Sequence, residues 1–274
     1  MSVVATPTAK GTVLTEVRTR AVDWIPAIVV FALAIVVWQA AIEIFDIQRF
    51  LLPKPGAIVR AFWNERGTLW SAGWVTLKEA LGGFAIGGGL GIAFALLLAR
   101  FGKIAAALMP IAIAANAVPI IAFSPIFNAW FDPLSPTPRM ATAAVLCFFP
   151  VFVNTLRGLR SVRPSQVELM RSYAAGELEI FRRVRMPTAL PFVFAALKVA
   201  TVLAMIGAIV ADYFGTFGSL GITIKNSVSL FDFETAWAAI LTASILGVGL
   251  YVAVAVVERF VLRWDPTRQE RGNA

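Results

Sequence analysis

Five ionisable side chains stand in or beside long apolar stretches: Glu43, Lys78, Glu79, Lys198 and Asp212. A charge inside a bilayer is costly and marks an ion, proton or solute pathway by default. Lys78, Glu79 and Asp212 lie near enough to the ends of their stretches to snorkel or reach headgroups. Lys198 lies deeper and is the candidate for a pathway charge. A proton relay would need several acids at mid-membrane, and no two carboxylates are placed to face each other within the spans. The chain has no histidine. That excludes a histidine base, a Ser-His pair and a histidine metal ligand. The single cysteine, Cys147, has no internal partner for a disulfide.

The elements that must carry these residues follow from hydropathy. Of the 274 residues, 59% are hydrophobic and 15% charged. Soluble domains average roughly 45–50% apolar and about 25% charged residues. A helix needs about 20 apolar residues to cross a bilayer. Windows at 25–45, 80–99 (reaching back to 75), 104–127, 140–156, 188–211 and 235–257 meet or approach that length. The reading is an all-α polytopic membrane protein with six transmembrane helices. A tail at 1–24 precedes the membrane domain 25–262, and a second tail follows at 263–274. The first window is too long for a signal-peptide core, and no small-residue cleavage site follows it.

Lysine and arginine collect on the cytoplasmic side of membrane proteins. The termini and the loops after the second and fourth spans hold sixteen of the 24 basic residues. The opposite side holds six: Arg49, Lys54, Arg60, Arg66, Arg139 and Lys225. Both termini are therefore expected in the cytoplasm. The net charge of +8 reports this topology rather than nucleic-acid binding. A short amphipathic helix in the first external loop is expected to lie on the surface, with Ile58 and Phe62 facing lipid.

Gly83, Gly87 and Gly91 recur every fourth residue, a spacing that lets helix backbones approach closely in lipid. The expectation is packing within the chain. The third window carries Pro110, Asn116, Pro119, Ser124 and Pro125, and the fourth repeats the pattern with Pro150 and Asn154. Proline-broken helices persist in a membrane where protein or water satisfies the freed carbonyls. The third window thus lines either the protein interior or a water-filled path.

The longest cytoplasmic loop, 157–187, carries seven arginines and three glutamates. Pro164 opens a helix there, Ser165 caps it, Gly176 makes a turn, and a second helix runs from Glu177 to just before Pro187. Such a helix pair is either a docking element for a soluble partner or a loop held to anionic lipid by its arginines.

This loop resembles the EAA loop of ABC importer permeases, whose pattern is E-A-A-x-x-x-G, nine residues, then I-x-L-P. Glu168 takes the glutamate position, and Val184-Arg185-Met186-Pro187 takes I-x-L-P. Leu169 and Met170 replace the two alanines, and Ala174 falls where glycine is expected. Gly176, two positions later, shifts the expected turn. Leu52-Pro53-Lys54-Pro55 and Gly218-Ser219-Leu220-Gly221 resemble two further stretches of the family. Within it, Asn128-Ala129-Trp130-Phe131 and the stretch 148–155 look most like the pyrimidine-precursor and riboflavin members of the nitrate, sulfonate and taurine group.

The resemblance implies a bacterial inner-membrane importer. Two permease chains form the pore, and two ATPase chains bind ATP and Mg beneath it. A periplasmic or lipid-anchored binding protein delivers a small organic or anionic solute. Gly102-Lys103 lacks the rest of a Walker A motif, so ATP belongs to a separate chain and this chain is no enzyme and needs no cofactor. Leu169, Met170 and Tyr173 would pack on the ATPase, Glu168 and Arg171 would set register, and Ala174, Gly176 and Pro187 would shape the loop. The solute path would run past Asn116, Ser124, Trp130, Asn154 and Lys198. A secondary carrier and a membrane scaffold that recruits a soluble partner remain alternatives.

Overall fold

The computed structural model describes residues 12–48 (backbone alone to residue 24), 51–115, 118–119, 122–215 and 218–262. Among them are eleven α-helices and no strand: α1 Thr12–Ile44, α2 Pro55–Asn64, α3 Arg66–Ala99, α4 Gly102–Ala115, α5 Phe123–Trp130, α6 Thr137–Arg160, α7 Pro164–Ser172, α8 Glu177–Ile180, α9 Met186–Asp212, α10 Leu220–Ser229 and α11 Phe233–Val261. One π-helical turn, Phe181–Arg185, joins α8 to α9.

Five helical stretches are long and apolar enough to cross a membrane: Ile25–Ile44, Arg66–Ala99, Thr137–Arg160, Glu177–Asp212 and Phe233–Val261. The window at 104–127 departs from the six-span expectation. It is split into α4, of 14 residues, and α5, of 8. Neither piece spans a bilayer alone at 1.5 Å per residue. Pro119 and Pro125 lack the amide hydrogens that a continuous helix would need there.

The core is built around α6, which packs between α3 and α9. Any side chain on Gly87 would collide with the Ala144 carbonyl, and a Cβ on Gly91 would stand 2.8 Å from the Phe148 carbonyl oxygen. The glycine stripe of α3 therefore serves packing within the chain, as expected. On the other flank Gly207 of α9 lies against Ala143. Small residues replace bulk at these crossings because lipid tails offer helices no hydrophobic drive to associate, so close contact must supply the attraction. Cys147 is buried in this core and donates to the Ala200 carbonyl at 3.2 Å.

A second core joins Leu69 and Ala72 of α3 to Leu220 and Ile224 of α10 and to Ala238, Ala239 and Ala243 of α11. Here α2 corrects an expectation. Ile58 is buried and Phe62 packs on this cluster, so both face protein rather than lipid, while Val59 and Trp63 are the exposed pair. The helix has a hydrophobic surface on both sides, and the side that meets α11 wins Ile58. By contrast α1 is almost wholly exposed and apolar between Ile25 and Val37, as a lipid-bathed helix should be. It meets α11 through Trp38 and Trp237, whose rings are 5.4 Å apart.

Candidate functional site

The loop 157–187 folds as a short helix, a turn and a bent entry into α9. Pro164 stands in the first turn of α7, where its missing amide hydrogen costs nothing. The N-cap is Arg163 rather than Ser165, and no side chain caps the helix. No residue of α7 is buried, although it carries Leu169 (58% exposed) and ends beside Tyr173 (77% exposed). Glu168 and Arg171 are exposed too, and Met170 is half-buried.

The turn is not at Gly176. Ala174 adopts a left-handed conformation with φ of +58°, and Gly176 is extended at −73° and caps α8. The Ala175 amide donates to the Met170 carbonyl at 3.1 Å and the Ala174 amide to the Arg171 carbonyl at 2.9 Å, which closes the end of α7. A left-handed residue is what this closure requires. An alanine therefore makes the left-handed turn at the position where the resembled pattern has glycine.

Beyond the turn, Arg171 donates to Glu177 Oε1 at 2.8 Å, and Arg183 pairs with Glu179 at 3.1 Å. Ile180 is fully buried and anchors α8 to the bundle. The second helix does not end before Pro187. The Met186 amide donates to the Phe181 carbonyl, five residues back, and the chain continues as α9. This one wide turn lets the helix pass through a residue that cannot donate.

The pathway candidates are dispersed. Ser124 on α5 is fully buried and its hydroxyl has no partner among the described residues. Trp130, at the end of α5, is 71% exposed. Asn154 on α6 is half-buried and donates to the Pro150 carbonyl at 2.8 Å. Asn116 lies outside the described residues. Lys198 on α9 pairs with Glu258 on α11 at 2.9 Å, so its charge is met by the last helix.

The expectation that Glu79 and Asp212 reach headgroups, and that no carboxylates face one another, is corrected by a buried cluster. Arg139, Glu79 and Asp212 are 3%, 5% and 0% exposed. Arg139 Nε lies 3.5 Å from Glu79 Oε1 and 3.7 Å from Asp212 Oδ1. Arg139 also donates to the carbonyls of Pro133, at 3.1 Å, and Ser135. Thr76 donates to Asp212 Oδ2 at 2.9 Å and accepts from the Leu220 amide at 3.0 Å. The Gly221 amide donates to the same Asp212 oxygen at 3.4 Å. Gly218 has φ of +91° and Gly221 admits no side chain against Asp212, so the Gly-Ser-Leu-Gly stretch is a lid on this carboxylate. One signal for the cluster was in the sequence. Glu79, Arg139 and Asp212 all fall toward the same ends of their spans, away from the basic loop.

Residues 87–263 match the family described as binding-protein-dependent transport system inner membrane component. The chain is 30% identical over 239 residues to the riboflavin transport system permease protein of Chloroflexus aurantiacus, which covers 86% of this chain and 89% of that one. It is 31% identical over 235 residues to the formylaminopyrimidine transport permease protein of Halalkalibacterium halodurans, covering 85% and 93%.

Proposed function

The chain belongs to the binding-protein-dependent transport system inner membrane component family, and on that premise we propose that it forms half of the solute pathway of an ATP-driven importer. It is a multi-pass transport permease subunit and not an enzyme. A second copy would complete the pore about a two-fold axis, the commonest symmetry for such pairs. Two ATP-binding chains would dock beneath it, and a binding protein would deliver solute on the other side. With α4 and α5 together making the third of six crossings, both termini and α7 would face the cytoplasm, in keeping with the distribution of basic residues.

The observation that carries this reading is α7. It buries none of its own side chains, yet it presents Leu169 and Tyr173 outside the apolar spans and is tied by Arg171 and Glu177 to the entry of α9. Exposed apolar residues in a polar setting mark a contact surface. Leu169, Met170 and Tyr173 would supply its packing, and Glu168 and Arg171 its register. Closure of the ATPase pair would move α7, and α9 would rock with it, giving alternating access. The solute would pass α4, α5 and α6, along Asn116, Ser124, Trp130 and Asn154. The relatives' names suggest a flavin or pyrimidine-type heterocycle as cargo.

The test is uptake of riboflavin and of formylaminopyrimidine into proteoliposomes holding the permease, its ATPase and its binding protein. ATP-dependent uptake of either is expected. Uptake driven by an ion gradient without ATP would overturn the reading in favour of a secondary carrier.

A further inference from the structure

We infer that Arg139 is a positioning residue that carries the movement of α9 to α5, an inference that rests on the importer reading above. Its warrant is the convergence of separate chain segments on one guanidinium. The 27 residues of α9 form a rod of about 40 Å. One end joins the α7 loop through the π-helical turn, and the other is Asp212. Asp212 meets Arg139 of α6, Thr76 of α3 and the Gly221 amide in the first turn of α10. Arg139 in turn holds Glu79 of α3 and the carbonyls of Pro133 and Ser135. Those carbonyls belong to the stretch 131–136, which follows Trp130 at the end of α5.

Arginine suits this place because its five donors are fixed in a plane and stay charged. With its surroundings nearly dry, the end of α9 cannot shift alone. It either drags the α5–α6 connection with it or leaves buried charges without partners, which is strongly unfavourable. Packed elements of this kind move between discrete arrangements rather than deforming continuously. A displacement begun at α7 therefore arrives at the helix that carries Ser124 and Trp130. Gly215 completes the fit, since a Cβ there would stand 2.7 Å from Arg139 Nε and Nη2.

The experiment compares Arg139→Lys and Gly215→Ala with the wild type in the full complex with ATPase and binding protein. The cargo is riboflavin or formylaminopyrimidine, whichever the wild type takes up. Arg139→Lys keeps the charge between the acids but loses the planar fork, while Gly215→Ala displaces the guanidinium and changes no charge. Both should co-purify with the ATPase and retain basal ATP hydrolysis. Import should fall about tenfold, and stimulation of hydrolysis by loaded binding protein should be lost. Wild-type import by either variant overturns the inference. So does loss of assembly in both, which would make the cluster a folding determinant only. Failure of the importer reading is distinguishable, because the wild-type permease itself would then take up solute on an ion gradient without ATP.

Discussion

Arg171 and Glu177 meet at 2.8 Å across the turn that Ala174 makes, joining the exposed helix α7 to the chain that becomes α9. Both partners are largely exposed, so the pair contributes little to stability, about 0.2–1 kcal/mol. Its value lies in orientation. Arg171→Glu should leave expression and insertion unchanged and reduce ATP-dependent import severalfold. The double exchange Arg171→Glu with Glu177→Arg should restore part of it. Import assays on the three proteins decide this, and an unaffected Arg171→Glu would remove the pair from the docking account.

Ala174→Gly addresses the strained turn. An L-residue in the left-handed region costs about 1–2 kcal/mol, and glycine returns part of that as unfolded-state entropy. Protease cleavage within 171–183 should slow by a few-fold, reporting a loop steadier by about 1 kcal/mol. Faster cleavage would show that the turn is held by contacts outside the loop.

Lys198 and Glu258 tie α9 to α11. Breaking a largely buried ion pair by removing one partner costs about 3–5 kcal/mol. Lys198→Met should therefore lower the thermal midpoint of the detergent-purified protein clearly, and Lys198→Met with Glu258→Gln should recover most of the loss. If Lys198→Met instead keeps its midpoint and loses only import, Lys198 belongs to the solute path.

Gly87→Ala inserts a methyl group where the Ala144 carbonyl lies. Overpacking of this sort costs about 1–3 kcal/mol. The yield of folded protein should drop, whereas Gly89→Ala, with open space around its Cβ, should express like the wild type. Fluorescence-detected size exclusion distinguishes the two, and equal yields would mean that α3 and α6 separate without penalty.

What the sequence determined by itself was local in origin. Apolar run length marks the helices that cross, because hydrocarbon satisfies no backbone polar group and length follows from bilayer thickness. The four-residue recurrence of Gly83, Gly87 and Gly91 announced a close helix crossing, since the spacing alone aligns them on one face. The spacing from Glu168 to Pro187 marked the loop that the proposed function depends on. Partner choice was left to the tertiary structure. Glu79, Arg139 and Asp212 are separated by 60 and 73 residues, and Lys198 and Glu258 by 60. Which buried charge meets which depends on which helices become neighbours, and that is decided by small-residue packing around α6. Tertiary structure also chose Ala174 over Gly176 for the turn, because closing α7 needs a left-handed residue two places after Ser172, whatever side chain stands there. The same packing turned Ile58 from lipid to protein, since α11 covers the face that periodicity could only call apolar.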